Sequence, residues 1–163
     1  TASRCLGLLK GNNEDTRRKK YERDIYSDIV TGIKERGGMK DVDRLALGYS
    51  GWVRLRFTRK GSNSRRSVMK YLHHGFVGGK LAGAKALNMQ RWLWNHECDL
   101  CIMGHSHNTA TQIEAMEKVK GNREVHDSRI GMYGVTFING AGYREKGGYF
   151  QLPLTQPCAI LQP

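Results

Sequence analysis

The apolar run Leu100-Cys101-Ile102-Met103, cut off by Gly104-His105-Ser106-His107, constrains the fold of this chain more than any other stretch. It reads as a buried strand that runs out into a loop. Gly104 lets the backbone turn tightly, so two imidazoles one residue apart can be aimed at one small cationic centre. Imidazole is a common ligand of zinc, manganese and iron, which makes this loop a candidate metal site. Two other segments close apolar runs in the same way: Gly11-Asn12-Asn13-Glu14 near the N-terminus, and His73-His74-Gly75.

The pattern around these loops predicts an α/β chain. Residues 5–9 read as a short buried strand. Asp15 or Thr16 is expected to cap a helix running to Arg36, with Ile25, Ile29 and Ile33 facing inward and Gly37-Gly38 as its stop. Residues 52–58 alternate, with Val53, Leu55 and Phe57 opposite Trp52, Arg54 and Arg56. With 67–73 they predict a β-hairpin across Lys60-Gly61-Ser62-Asn63-Ser64. A helix is expected over 81–95, packing through Ala82, Ala86, Met89 and Leu93, then the strand 99–103. Further strands are expected at 109–117, 130–138 and 158–161. This order predicts a mixed α/β sandwich, one domain over 1–163, with all three candidate sites following the carboxyl ends of strands. Open α/β sheets bind ligands at those ends.

Lysine and arginine exceed aspartate and glutamate by 27 to 15, a net charge of +12 that attracts polyanions such as nucleic acid, anionic lipid or phosphorylated substrates. The charge gathers in Arg17-Arg18-Lys19-Lys20 and in Arg59-Lys60 with Arg65-Arg66. Each cluster alone reads as a solvated face; together they point to a phosphate-rich partner. No stretch approaches the ~20 apolar residues of a membrane span, and no signal peptide is visible. Four cysteines (Cys5, Cys98, Cys101, Cys158) are too sparse for a disulfide framework, so a cytoplasmic location is expected. Cys98-x-x-Cys101, near His96, His105 and His107, invites a zinc-knuckle reading. On one extended strand, however, the odd spacing sends the two thiols to opposite faces. His73, Trp92 and Trp94 read most simply as packing residues.

In order and spacing, Gly11-Asn12-Asn13-Glu14, His74-Gly75 and Gly104-His105-Ser106-His107 resemble the last three motifs of the calcineurin-like metallophosphoesterases. Leu47-Gly48-Tyr49-Ser50 and Gly140-Ala141-Gly142-Tyr143-Arg144-Glu145 extend the likeness toward the phage and bacterial branch. The resemblance implies a partial α/β/β/α sandwich of mixed sheets with flanking helices. It implies divalent cations (manganese, iron or zinc), normally two, about 4 Å apart, that polarise a phosphoryl group and stabilise attacking and leaving oxygens. Asn12, His74 (with His73 as runner-up) and His105 would then bind one ion, and His107 the other. The implied activity is hydrolysis of a phosphodiester or phosphomonoester, with nucleic acid a candidate substrate. Arg17, Arg18, Lys19, Lys20, Arg65 and Arg66 are the candidate phosphate contacts.

The departures weigh against full activity. The family's Asp-x-His and Gly-Asp-x-x-Asp motifs, which supply the remaining ligands and the bridging carboxylate, are absent from the sequence. Asp41 and Asp43 are poor substitutes, since neither follows a convincing strand. Asn13 stands where the family has its catalytic histidine, and an amide cannot act as a general acid near neutral pH. The resemblance therefore implies an N-terminally truncated member, weak or inactive alone, with an exposed sheet edge through which it would form homo-oligomers. The competing expectation is a non-catalytic basic domain that holds nucleic acid or a partner protein.

Overall fold

The computed structural model describes residues 5–37, 42–75, 82–106 and 109–134. In chain order these form β1 (Leu8–Leu9), α1 (Asn12–Tyr21), α2 (Ile25–Gly37), a 3-10 turn (Val42–Leu45), β2 (Ala46–Gly48), β3 (Ser50–Thr58) and β4 (Arg65–His73). They continue with α3 (Ala82–Asn95), β5 (Leu100–Met103), β6 (Ala110–Lys120) and β7 (Arg123–Tyr133). The fold is mixed α/β, with a five-stranded mixed sheet in the order β3-β4-β5-β7-β6 and a small parallel pair, β1-β2. None of the described helices is long and apolar enough to cross a membrane.

The alternation in 52–58 does what period-2 patterning requires: Trp52, Arg54 and Arg56 are exposed, while Val53, Leu55 and Phe57 are half-buried. β3 pairs antiparallel with β4 in unbroken register from Ser50↔His73 to Thr58↔Arg65. β5 lies parallel to both β4 and β7, so the apolar run 100–103 occupies the centre of the sheet. α3 packs on one face, where Met89 and Leu93 meet Tyr71, Cys101, Met103 and Tyr133. Beside them Tyr71, Trp92 and His96 form an aromatic stack, with His96 4.1 Å from Tyr71 and 4.6 Å from Trp92, centroid to centroid.

Several sequence expectations need correction. The single helix expected to reach Arg36 is two. Glu22 takes a left-handed backbone (φ 55°), and the Asp24 side chain accepts a hydrogen bond from the Ser27 amide at 3.1 Å, starting α2 anew. An aspartate gains more as an N-cap than inside a helix, and the evenly spaced isoleucines all fall after the break, within α2. Ile29, expected to face inward, is exposed. The first helix is capped at Gly11 and begins at Asn12, before both expected caps, Asp15 and Thr16. On α3 the buried stripe runs through Lys85, Met89 and Leu93, whereas Ala86 is exposed. β7 begins at Arg123 rather than Ile130, because its polar half is ordered by pairing with β6. Cys98 precedes β5 instead of belonging to it, so the opposite-face expectation for the thiols fails. The expected strand 158–161, the segment 135–138 and the Gly140–Glu145 motif lie outside the described residues.

Candidate metal centre

β4 and β5 are parallel neighbours whose last paired residues are His73 and Met103, so His74 and Gly104-His105 leave the sheet side by side. The Gly104 amide donates to the His73 carbonyl at 3.1 Å, and the His74 amide donates to the Tyr49 carbonyl at 2.8 Å. Gly75 has φ +95°, and a Cβ there would collide with the Gly104 carbonyl oxygen. Only glycine combines that backbone with so close an approach. His105 itself is left-handed (φ 63°), an uncommon backbone that turns its ring toward the neighbouring loop. The His74 and His105 ring centroids are 5.0 Å apart.

The third component comes from the first residue of α1. Asn12 Oδ1 lies 3.0 Å from His74 Nε2, and the Asn12 backbone nitrogen lies 3.4 Å from the same atom. With a hydrogen on Nε2 this is a hydrogen bond donated to the amide oxygen. Without it, Nε2 accepts the Asn12 backbone N–H at 3.4 Å, with the amide oxygen beside it. Ligand atoms about 2.1 Å from one ion sit about 3 Å from each other, so the separation also suits adjacent ligands on a cation. A Cβ at Gly11 would lie 3.1 Å from the His74 ring and would clash with the Glu14 carboxylate. Glycine thus leaves room for Asn12 and His74 to meet.

The surroundings brace this arrangement. Lys85, buried on α3, donates from Nζ to the Ser106 carbonyl at 3.2 Å, and Tyr133 donates to the Lys85 carbonyl at 2.7 Å. Burial holds the Lys85 ammonium below the ordinary lysine value. His73 is a half-buried neighbour: its Nδ1 accepts the Gly75 amide at 2.7 Å. Burial pushes its imidazole below the usual histidine range, and His74 and His96 act in the same direction. Sequence reasoning missed Lys85, although its four-residue spacing to Met89 and Leu93 places it on the packing stripe.

Asn12, His74 and His105 therefore come together, while His73 points into the aromatic packing. His107 lies outside the described residues, as do Asp41 and the side chain of Asp43. Among the described residues no group of three His, Cys, Asp or Glu side chains gathers as for a metal ion. Two imidazoles and one amide oxygen make up this cluster. Asn13 is exposed on α1. Arg17 and Lys20 are exposed, whereas Arg18 and Lys19 are drawn to Asp15, at 3.2 and 2.9 Å. Arg65 and Arg66 begin β4, about 25 Å from its histidine end at the usual rise per residue, so the two basic clusters do not converge here. No family model, curated protein or solved structure matches this chain.

Proposed function

We propose that Asn12, His74 and His105 bind one divalent cation, manganese, iron or zinc, as half of a phosphoesterase-type dinuclear centre. The observation that supports this most is the 3.0 Å approach of Asn12 Oδ1 to His74 Nε2, with the His105 ring beside it at the same strand ends. A bound cation would supply Lewis acidity to a phosphoryl oxygen. The chain's own part is to hold three donors on backbone-braced loops. Asn13 can hydrogen-bond a phosphate ester but cannot protonate a leaving group, so hydrolysis by this chain is weak. The same reading implies the α/β/β/α sandwich of the calcineurin-like phosphoesterases. His107 would serve the second ion.

The test is equilibrium dialysis of the chain against manganese or zinc, with His74→Gln and His105→Asn as variants. Asparagine tolerates the left-handed backbone at position 105, which limits structural damage. Each variant is expected to lose roughly tenfold or more in affinity. Unchanged affinity in both overturns the site. Hydrolysis of a generic phosphodiester should be slow, manganese-dependent and absent in His105→Asn.

A second reading, a non-catalytic basic domain for nucleic acid, is favoured by Arg65 and Arg66 lying far from this cluster. Salt-dependent DNA binding that persists in chelator, without hydrolysis, would support it.

A further inference from the structure

At the other end of the central strand, where β5 begins, β4 and β7 run on past it and leave a cavity of about 350 Å³. Arg54, Lys118, Lys120 and Arg129 line it against the carboxylates of Glu97 and Asp99, and Cys98 forms part of its wall. The carboxylates are in part already engaged: Asp99 Oδ2 accepts the Met69 amide at 2.6 Å. Lys118 pairs with Asp127 at 3.1 Å, whereas Arg54 and Lys120 make no ion pair among the described residues. Arg129 is fixed, donating from Nη1 to the Leu93 carbonyl at 2.6 Å and the His96 carbonyl at 3.2 Å.

Cys98 and Cys101 are both free and buried in the same core cluster. The two are not equivalent. Cys98 borders the cavity, while Cys101 is sealed beneath α3 with no exposed surface. Cys101 and the Arg129 charge favour the Cys98 thiolate, against burial and the Asp99 carboxylate; Cys101 is pushed the other way by Cys98 and by burial. A thiol in a cavity wall, 3% exposed, backed by a second thiol sealed beneath it, is the arrangement of a dithiol redox pair.

We propose that Cys98 and Cys101 form a reversible dithiol–disulfide site whose cationic cavity selects small anionic disulfides. The Cys98 thiolate attacks one sulfur of the disulfide, forming a mixed disulfide and releasing the other half as a thiolate that takes up a proton. Cys101 then gives up its proton, and its sulfur attacks Cys98 sulfur and expels the second half as a thiol. The protein loses two electrons and two protons, and the disulfide becomes two thiols. A cavity of this size admits one half of such a molecule, and its arginines and lysines favour carboxylate-bearing halves. None of this draws on the metal reading.

The test exposes the reduced full chain to oxidised glutathione, which is anionic, or to cystamine, which is cationic, and locates oxidised cysteines by peptide mass spectrometry. The expected product is a Cys98–Cys101 cross-link lacking two hydrogens, formed several-fold faster with oxidised glutathione. The preference should vanish in denaturant, where the cavity is gone. Cys101→Ser should stop at a glutathione adduct on Cys98, and Arg54→Ala with Lys120→Ala should slow oxidised glutathione without slowing cystamine. No cross-link in the folded chain overturns the proposal, as does equal or faster reaction with cystamine. The comparison of the two disulfides needs no variant, so it stands even if a cysteine substitution unfolds the protein.

Discussion

α1 and α3 both serve the histidine cluster, and they are held in opposite ways. α1 contributes Asn12, yet none of its ten residues is buried, and what steadies it is Asp15 among Lys10, Arg18 and Lys19. α3 contributes no donor to the cluster, but it buries Met89 and Leu93 against the sheet and props the His105 loop through Lys85. The helix that carries a donor is loosely tied, and the helix that carries none is part of the core. Ordering an exposed helix costs entropy that a buried one has already met in folding. In the proposed centre Asn12 is therefore the donor whose position would depend most on the ligand, while His74 and His105 are set by the sheet.

The sharpest way to break this contrast is to damage α3. Leu93→Ala, at a site with no exposed surface, should lower stability by about 2–5 kcal/mol in urea unfolding. A loss below about 1 kcal/mol would mean that α3 is not core. Asn12→Ala should leave unfolding within about 0.5 kcal/mol of the parent, as exposed positions usually do. It should still weaken manganese binding roughly tenfold, about 1.4 kcal/mol. A large stability loss there would show that α1 is better anchored than its exposure indicates.

The smallest effect concerns acid. Lys19 above all, with Lys10 and Arg18, holds the Asp15 carboxyl well below the usual carboxylate range. A depressed value means that the unfolded chain binds the proton more readily. Asp15 thus stabilises α1 above the ordinary aspartate value of 3.8, and the contribution fades as pH falls below it. Far-ultraviolet circular dichroism should show a modest helix loss on acidification, smaller in Asp15→Asn and smaller in high salt. A titration identical in the variant would remove Asp15 as the tether.

The elements that were legible in the sequence are those whose own residues carry the pattern. Alternation from Trp52 to Thr58 marked β3, and the apolar run from Leu100 to Met103 marked β5. What stayed hidden depends on partners. The polar half of β7 is a strand because it pairs residue by residue with β6, and Lys118 reaches Asp127 on the diagonal. The break after α1 rests on one capping bond, donated by the Ser27 amide to the Asp24 carboxylate, that no hydrophobic spacing announces. Lys85 was passed over because lysine is rarely buried, although it shares the stripe of Met89 and Leu93. Asn12, His74 and His105 could be picked out as strand-end residues. Their meeting could not be read from the sequence, since it depends on Gly75 and Gly104 letting two loops touch.

That contact has a mechanical consequence. Because His74 and His105 follow directly from the paired ends of β4 and β5, the gap between them behaves like a ratchet rather than a spring. A one-residue slip turns every side chain of a strand to the other face, so the smallest tolerated step is two residues. Such a step would shift one imidazole by about 6–7 Å relative to the other. Between those notches the jaws have one setting, and an ion bound there as proposed would have to match it rather than adjust it.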